Sequence, residues 1–441
     1  METTEKQPNA SAHSVQGTEN QQEMSDFKKF MRSYTARIIV SVIIILLLLI
    51  PTQQVAWLIK ERKQRQDQVI KELKQEWGPE LEFYGVVLEI PNNGKKKTLL
   101  YVYPEKSSEV ISSNVNERYR GIFKANLFTA KINSTNEFDL NKLRSNSEYV
   151  NLDWKKARLL LVTGEDVRFN ELSKFTINGK EIAIAGQMGN YTLLSYSNRF
   201  EIPSTENTLH VTYNASANGT ESFVYKPIAS QSKLRLSSNW KDPSFSGSAL
   251  PENGSFNVSK EGFSATWKNL SHIGNGSQTS INHIQTKGKS HSEIKFITML
   301  DQYQLNDRTI KYCILVLTLT FAVFFLVQIV GKTYVHPVHY LMIGLALLLF
   351  YSLLLSLSEH LGFNGAYLVS AGAIILLVIW YAKSILSSLK FALVCGLSLT
   401  LLYGFLLVLV NLEVYALLVG SIGLLVVLAA IMSVTRKLNF E

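Results

Sequence analysis

An acidic and a basic side chain are adjacent at Glu359-His360, directly after a long apolar stretch. An acid beside an imidazole could transfer a proton or help to hold a metal ion. His336 and His339 form a second group in the turn H-P-V-H, but the apolar stretch 340–358 separates them from His360. We therefore expect no shared site. Hydrogen-bonded interfacial histidine is the favoured interpretation, and simple water contact is favoured for the Glu359-His360 pair.

Motifs that commonly carry catalysis are missing from the sequence. It has no phosphate-binding Gly-rich loop, no H-E-x-x-H and no G-x-S-x-G, and Gly274-Asn275-Gly276 lacks the third glycine of a dinucleotide fingerprint. Cys313 and Cys395 both lie in apolar stretches, so the polar segment between residues 60 and 308 can form neither a disulfide nor a cysteine zinc site. The sequence predicts no metal and no cofactor, and it favours a non-enzymatic protein over an enzyme.

The most distinctive local sequence is SSNWKDPSFSGSALPENGSF, followed by EGFSATW. It is typical of a strand, a Pro-Ser-Phe-Ser-Gly turn and a second strand that carries aromatic side chains inward. An aromatic domain core is favoured, and a ligand-binding surface is the alternative. The candidate residues are Trp240, Pro243, Phe245, Gly247, Phe263 and Trp267.

These residues are distributed over a chain with the composition of a membrane protein. Of its 441 residues, 46% are hydrophobic and 18% are charged, and the hydrophobic residues concentrate in one short block near the start and one long block at the end. The first block is long enough to cross a bilayer, and it is followed by no signal-peptide cleavage site. Five further spans are predicted at about 312–330, 338–358, 365–382, 390–410 and 415–434.

The segment between the two blocks has a different periodicity. Residues 60–77 predict an amphipathic helical stalk that Gly78-Pro79 ends, and later stretches such as 98–103, 207–213 and 263–270 alternate apolar with smaller or polar residues. Asn178-Gly179 between two alternating arms predicts a two-residue hairpin turn. The fold class is therefore an α+β membrane protein with six transmembrane helices, one N-terminal and five C-terminal, and a β-rich domain inserted after the first.

The predicted boundaries follow from these patterns. They are a disordered cytoplasmic tail at 1–25, transmembrane helix 1 at 34–59, a stalk and β-rich domain at 60–308, a five-helix transmembrane block at 309–435, and a cytoplasmic C-terminus at 436–441.

The short connections between spans predict the orientation. Lys and Arg occur in the tail before the first span, at Lys332, at Lys383 and Lys390, and at the C-terminus, whereas the opposite connections carry Glu359 and Glu413. Because positive residues are retained on the cytoplasmic face, both termini should be cytoplasmic and the β-rich domain should lie outside. The net charge of +9 is thus explained by membrane orientation rather than by nucleic acid.

Ionisable groups are scarce inside the spans, which disfavours a proton-coupled carrier or ion pump. Their main polar residues are Gln328, Ser352, Ser356 and Asn411. Their glycines are expected to let helices approach closely. These are Gly344, Gly365, Gly372, Gly396 and Gly420.

Residues 35–440 resemble the CreD family of bacterial inner-membrane proteins, which is associated with cell-envelope integrity. The resemblance is carried by Trp77-Gly78, Ile90-Pro91, residues 118–123, Asn239-Trp240, Pro243-Ser244-Phe245, Gly247, Leu250-Pro251, Gly262-Phe263, Ala265, Trp267, Tyr303, Arg308, Lys311-Tyr312, His336-Pro337, Tyr340, Phe350-Tyr351, residues 353–356, Ser358-Glu359-His360 and Ala366-Tyr367. Gln328 and His339 depart from the pattern, in which Glu and Gln are expected. The resemblance implies a Gram-negative inner membrane and a periplasmic β-rich domain.

Two functional hypotheses follow. The first is a non-enzymatic protein whose periplasmic domain binds an unidentified periplasmic or cell-wall partner. The second is a membrane-embedded enzyme or a lipid- or glycan-handling protein at the outer leaflet. The residues that would meet the headgroups of the lipid bilayer are Tyr303, Arg308, Lys311, Glu359 and His360. Arg308 and Lys311 are expected to anchor the chain at the headgroup level, and the functional alternative is that one of them pairs with Glu359.

Overall fold

A computed structural model describes residues 34–94, 97–188, 193–270, 278–286, 290–296, 301–386, 388–412 and 415–436. The chain divides into two compact units, Met1–Gln64 with Leu300–Glu441, and Arg65–Met299. We call the first the helical unit and the second the β-rich unit. The predicted tail 1–25 and the C-terminus from residue 437 lie outside the described residues.

Long apolar helices form the helical unit. Their bounds are α1 (Tyr34–Trp77), α3 (Gln302–Lys311), α4 (Cys313–Val330), α5 (Pro337–Leu386), α6 (Leu389–Asn411) and α7 (Ala416–Thr435); α2 (Asn141–Ser145) is a short helix of the β-rich unit. Among the described residues, five helices are long and apolar enough to cross a membrane: α1, α4, α5, α6 and α7.

Helix α1 continues through Pro51 and through the predicted stalk without a break. It ends at Trp77, where Gly78 has a φ of 143° and Pro79 cannot extend the helix. In its apolar part, the Thr52 hydroxyl donates to the Leu48 carbonyl and lies 3.7 Å from Cys313 Sγ. The prediction of a stalk helix that ends at Gly78-Pro79 is confirmed.

Helix α5 has one residue with non-helical geometry, Gly362, at φ 70° and ψ 166°. The sequence predicts a polar break around 358–364, whereas helical geometry continues through all of these residues except Gly362. His339 Nδ1 lies 2.9 Å from the Tyr381 hydroxyl, so the segment after Gly362 runs back beside the segment before it. A positive φ is the reason that one glycine can replace a longer loop.

Two of the span glycines lie at close helix contacts. A Cβ on Gly344 would lie 2.2 Å from Leu48 Cδ1 of α1, and one on Gly396 would lie 2.4 Å from Ile379 Cδ1 of α5. A Cβ on Gly420 would lie 3.2 Å from Leu409 Cδ1 of α6, so Leu409 would have to shift by a few tenths of an ångström. Gly365 and Gly372 face no neighbouring helix among the described residues. The packing prediction thus holds for Gly344 and Gly396 and is wrong for Gly365 and Gly372.

The β-rich unit is built from strands as predicted. Their bounds are β1 (Leu81–Asn92), β2 (Thr98–Val102), β3 (Lys106–Arg120), β4 (Phe123–Asp139), β5 (Arg158–Thr163), β6 (Arg168–Leu172), β7 (Phe175–Ile177), β8 (Lys180–Ile182), β9 (Ile184–Met188), β10 (Leu193–Ser197), β11 (Thr208–Thr220), β12 (Ser222–Tyr225), β13 (Gln231–Ser238), β14 (Ser244–Gly247), β15 (Asn257–Ser259), β16 (Gly262–Leu270), β17 (Thr279–Ile281) and β18 (Ser292–Lys295).

The described strands form two nine-stranded sheets. The first has the order β14-β18-β12-β1-β5-β10-β9, with β2 joining β1 to β17; the second has the order β15-β16-β13-β3-β4-β11-β7-β8, with β6 on β11. Most neighbours are antiparallel, but β1 pairs with β12 and β3 with β13 in parallel. The two sheets contribute side chains to one shared hydrophobic core.

The Asn178-Gly179 hairpin is confirmed. Ile177 pairs with Lys180, so only these two residues form the turn, and their φ values are 45° and 83°. Positive φ at both central positions is the geometry of a type I′ turn. The Asn178 side chain also accepts a hydrogen bond from the His210 backbone N–H at 2.8 Å.

Candidate functional site

Glu359 lies at the centre of a polar cluster in the helical unit. Its Oε1 accepts a hydrogen bond of 3.0 Å from the Tyr303 hydroxyl, and it lies 3.8 Å from Arg62 Nε. The Glu359 side chain is 9% exposed and that of Arg62 is 46% exposed. The cluster therefore connects α1, α3 and the first segment of α5 through one carboxylate.

A second polar contact lies one residue away. Asn306 Nδ2 donates to Ser358 Oγ at 3.0 Å, and Ser358 Oγ donates to the Leu355 carbonyl at 2.8 Å. Asn306 and Ser358 are both buried. Because an unpaired polar group is costly in apolar surroundings, these hydrogen bonds fix the register of α3 against α5.

Tyr303 acts as a hydrogen-bond donor in this cluster. Burial and the nearby Glu359 carboxylate raise the pKa of the Tyr303 phenol above its usual range. The phenol consequently stays protonated and acts as a hydrogen-bond donor to Glu359, rather than as a general base.

The predicted cations have other neighbours. Lys311 pairs with Asp307 one helical turn earlier, at 2.6 Å, and Arg308 has no ion-pair or hydrogen-bond partner among the described residues. The structure thus does not have the alternative pairing of Glu359 with Arg308 or Lys311, because Arg62 is the cation beside this carboxylate. The uninterrupted helix α1 carries Arg62 to this position, whereas Lys311 lies two turns along α3 from Tyr303.

A cleft of about 630 Å³ adjoins the cluster between α1 and α3. It is lined by Gln53, Ala56, Trp57, Ile59, Lys60, Lys63, Tyr303, Gln304, Asp307, Arg308 and Lys311. Four of these side chains are cationic and one is a carboxylate, so the cleft can attract an anion. Lys60 and Lys63 were not selected from the sequence, because they read as flanking residues of the first span.

The three candidate histidines have ordinary surroundings. His360 is exposed, His339 contacts the Tyr381 hydroxyl, and His336 Nδ1 accepts from the Val338 N–H at 3.4 Å. Among the described residues, no group of three His, Cys, Asp or Glu side chains has the arrangement that a metal ion needs. Gln328 is buried, and its Oε1 accepts a hydrogen bond of 3.0 Å from the Tyr340 hydroxyl.

The aromatic motif contributes mainly to the core of the β-rich unit. Phe263 and Trp267 of β16 are buried, and the Phe245 ring of β14 lies 5.5 Å from the first and 5.6 Å from the second. Since β14 and β16 belong to different sheets, these rings pack the sheets together. Half-buried Trp240 donates from its indole to the Asp242 carbonyl at 2.9 Å.

Pro243 and Gly247 belong to the turn beside that core. Pro243 is half-buried and directly precedes β14. Gly247 has a φ of 102°, and a Cβ there would lie 2.5 Å from the His291 carbonyl oxygen. A side chain at this position is therefore excluded by both backbone conformation and space.

Exposed apolar side chains follow the motif directly. Leu250 is 63% exposed, Phe256 is 52% exposed, and Val258 of the edge strand β15 is 45% exposed. The Phe256 ring contacts Phe245 at 6.2 Å between centroids, so this surface continues outward from the aromatic core. We call these three side chains the apolar patch. Phe256 and Val258 could have been noticed as apolar residues within a Gly-, Ser- and Asn-rich stretch.

Glu109 is a buried acid that sequence patterns did not single out. It lies on the inner face of β3, opposite Ser134 of β4, which in turn lies opposite Tyr213 of β11. Burial raises the pKa of the Glu109 carboxyl to about 8, although the Ser134 hydroxyl favours its ionised form. This carboxyl is therefore mostly protonated at neutral pH.

Comparison with known proteins adds the family. The family model described as inner membrane protein CreD matches residues 33–441. The chain belongs to the CreD family. Inner membrane protein CreD of Escherichia coli is 30% identical over 420 residues, which cover 90% of this chain and 91% of that protein. The CreD-type chain described here is accordingly an inner-membrane protein with several membrane-spanning helices.

Solved structures give only a weak likeness to this CreD-family chain. The crystal structure of an M1 zinc metallopeptidase from Deinococcus radiodurans matches with a TM-score of 0.21 and 6% identity, over 49% of this chain and 43% of that protein. A similarity of this size supports no argument about activity.

Proposed function

We propose that this protein is a non-enzymatic inner-membrane protein that contributes to cell-envelope integrity. In this proposal the β-rich unit lies in the periplasm and binds a partner protein there. The observation that carries it is the apolar patch, because Phe256 extends the aromatic core outward through Phe245, and Val258 of β15, opposite Phe263, continues the exposed apolar surface. One of them lies on an edge strand, to which an extended segment of a partner could add by main-chain hydrogen bonds.

The proposed topology has six membrane crossings, with two of them in α5. Its support is the positive φ of Gly362 and the contact between His339 and Tyr381. An even number of crossings leaves both termini on one side, and the positive residues Lys332, Lys383 and Lys390 favour the cytoplasm for that side. Arg37, which lies over the Tyr334 ring at 5.0 Å, marks the same end of the helical unit.

Single and combined substitutions test the binding function. In a strain in which loss of the protein makes the envelope sensitive, Leu250→Asn and Phe256→Asn should each weaken function, and the two together should weaken it further. A photoreactive residue at position 256 should capture a discrete partner in intact cells. The same residue at Val150, an exposed apolar position outside the patch, should not.

An enzyme or lipid-handling protein at the outer leaflet is the second candidate function. The cationic cleft beside Glu359 is the observation that favours it. One reactive group is indispensable to an enzyme, whereas a binding surface loses its function gradually. This candidate is therefore favoured over partner binding if Glu359→Gln abolishes function and the apolar-patch variants keep it.

A further inference from the structure

The cleft between α1 and α3 lies where the apolar stretch of α1 ends and that of α4 begins. Lys60 and Lys63 directly follow the first apolar helix stretch, and Arg308 and Lys311 directly precede the second. The ion pair of Lys63 with Asp301 joins the two chain segments directly. Glu359 joins them a second time, because it pairs with Arg62 and accepts a hydrogen bond from Tyr303. The four cationic side chains of the cleft therefore lie at the same end of the membrane-spanning helices.

Two of the four cations lack a counter-ion in the part of the chain that the structure describes. Lys63 lies 3.9 Å from Asp301 and Lys311 lies 2.6 Å from Asp307. Among the described residues, Lys60 and Arg308 have neither an ion-pair nor a hydrogen-bond partner. Two neighbouring cations at the edge of a low-dielectric layer repel each other and attract an anion.

The walls of the cleft indicate the kind of anion. Exposed Trp57 lines one side, and tryptophan is enriched where acyl chains meet headgroups. A volume of about 630 Å³ is within the range of ordinary small-molecule sites, so it has room for a phosphate together with its glycerol. Arginine and lysine both bind phosphate, and arginine can do so with two parallel hydrogen bonds.

We propose that this cleft binds the phosphate headgroup of an anionic phospholipid, with Lys60 and Arg308 as its principal contacts. The acyl chains lie along the apolar side of α1, next to Trp57. The proposal goes beyond partner binding by the β-rich unit and does not depend on it, because every lining residue belongs to the helical unit.

Trp57 provides the readout. The full-length protein is reconstituted in phosphatidylcholine vesicles that contain either phosphatidylglycerol or phosphatidylcholine with acyl chains brominated close to the headgroup. Quenching of Trp57 is obtained by subtracting the signal of Trp57→Phe, since the chain has five other tryptophans. Brominated phosphatidylglycerol should quench Trp57 at lower mole fractions than brominated phosphatidylcholine does.

Charge removal then tests the two contacts. Each cation near the surface changes association with an anionic lipid by about fivefold, so Lys60→Gln with Arg308→Gln should reduce the preference for phosphatidylglycerol by about fivefold or more. Lys332→Gln with Lys383→Gln removes the same charge outside the cleft and should leave the preference unchanged. Equal quenching by the two lipids, or the same preference in the Lys60 and Arg308 variant, would overturn the proposal.

Inorganic phosphate separates a lipid from a free ion. At constant ionic strength set with chloride, excess phosphate should not displace the brominated phosphatidylglycerol. Complete displacement would assign the cleft to a soluble phosphate and refute the lipid assignment. None of these measurements involves the apolar patch, so their failure leaves the partner-binding proposal intact, and the reverse is equally true.

Discussion

At the scale of single residues, Glu359 has two partners of unequal value. The Tyr303 hydroxyl is buried and donates to a carboxylate at 3.0 Å, whereas Arg62 is half exposed and lies 3.8 Å away. A buried hydrogen bond to a charged group contributes about 1.5–3 kcal/mol, and an exposed ion pair contributes about 0–1 kcal/mol. The neutral partner should therefore dominate.

This ordering gives the first prediction. Tyr303→Phe should lower the thermal stability of the detergent-solubilised protein by about 2 kcal/mol, because it leaves a largely buried carboxylate without its donor. Arg62→Gln should cost less than about 1 kcal/mol. Melting curves of the two variants, measured side by side, compare their losses of stability. A larger loss of stability for Arg62→Gln would contradict this account of the cluster.

Glu109 makes the stability of the β-rich unit depend on pH. The pKa of its carboxyl is raised in the folded state from 4.5 to about 8, so the folded state binds the proton more tightly than the unfolded state. The contribution of Glu109 to stability is consequently fully present below pH 4.5, is lost between pH 4.5 and about 8, and stays absent above that range. The loss is at most about 5 kcal/mol.

The second prediction follows from this fall in stability with rising pH. Glu109→Gln should remove the fall in stability, so the variant should be more stable than the original protein at pH 9 and similar to it at pH 5. Near-UV circular dichroism of the full-length protein during thermal unfolding provides the measurement. Glu171→Gln, at an exposed position in β6, is the control and should keep the original pH dependence.

Sequence patterns pointed to Glu359 but not to its partner Arg62. Glu359 was selected because an acid beside a histidine at the end of a span is unusual. Its partner Arg62 is 297 positions away, and only the exact rotation of α1 brings the two together. Glu109 was missed because acidic residues of an alternating strand are expected on its solvated face. The sequence does not indicate that this acid lies on the buried face of β3.

At the scale of elements, local sequence patterns predicted the hairpin turn correctly. The hairpin at Asn178-Gly179 depends only on backbone preferences of adjacent residues, and it formed where expected. The break inside α5 lies within the predicted residues 358–364 but is shorter, because polarity suggested a loop of about seven residues and one glycine with positive φ is sufficient.

The third prediction concerns the hairpin turn. Gly179 has a φ of 83° and open space where a Cβ would lie, so only backbone strain opposes a side chain. Gly179→Val should destabilise the β-rich unit by roughly 1 kcal/mol or more, since a β-branched residue resists this conformation. Gly179→Asn is the matched control, because asparagine tolerates positive φ and should retain most of the stability. Equal melting temperatures for valine and asparagine would show that the strain argument fails.

At the scale of the whole molecule, composition predicted an α+β membrane protein, and the structure agrees with that class. The order of the strands could not be predicted. The parallel pairs β1–β12 and β3–β13 join segments more than a hundred residues apart, and alternation within a strand identifies its buried face but not its neighbour.

The fourth prediction is the membrane topology. In a background without Cys313 and Cys395, single cysteines at Ser237 and at Ser387, which lies outside the described residues, are exposed to an impermeant thiol reagent. The proposed topology requires labelling of position 237 and protection of position 387 in cells whose outer membrane alone is permeabilised. Detergent lysis should make both positions reactive. Equal labelling of both before lysis would contradict the topology.

The same long-range pairing determines the order in which the β-rich unit can mature during synthesis. Adjacent hairpins such as β3–β4 can form as soon as they emerge, but β1 must wait for β12, and β12 for β18, which is completed only at Lys295. Until then, residues 81–83 of the almost entirely buried strand β1 have no neighbour on that edge, where β2 pairs only with residues 88–92. Unpaired strand edges favour aggregation, so proteins truncated before Ser292 should be degraded rather than accumulate as a smaller domain.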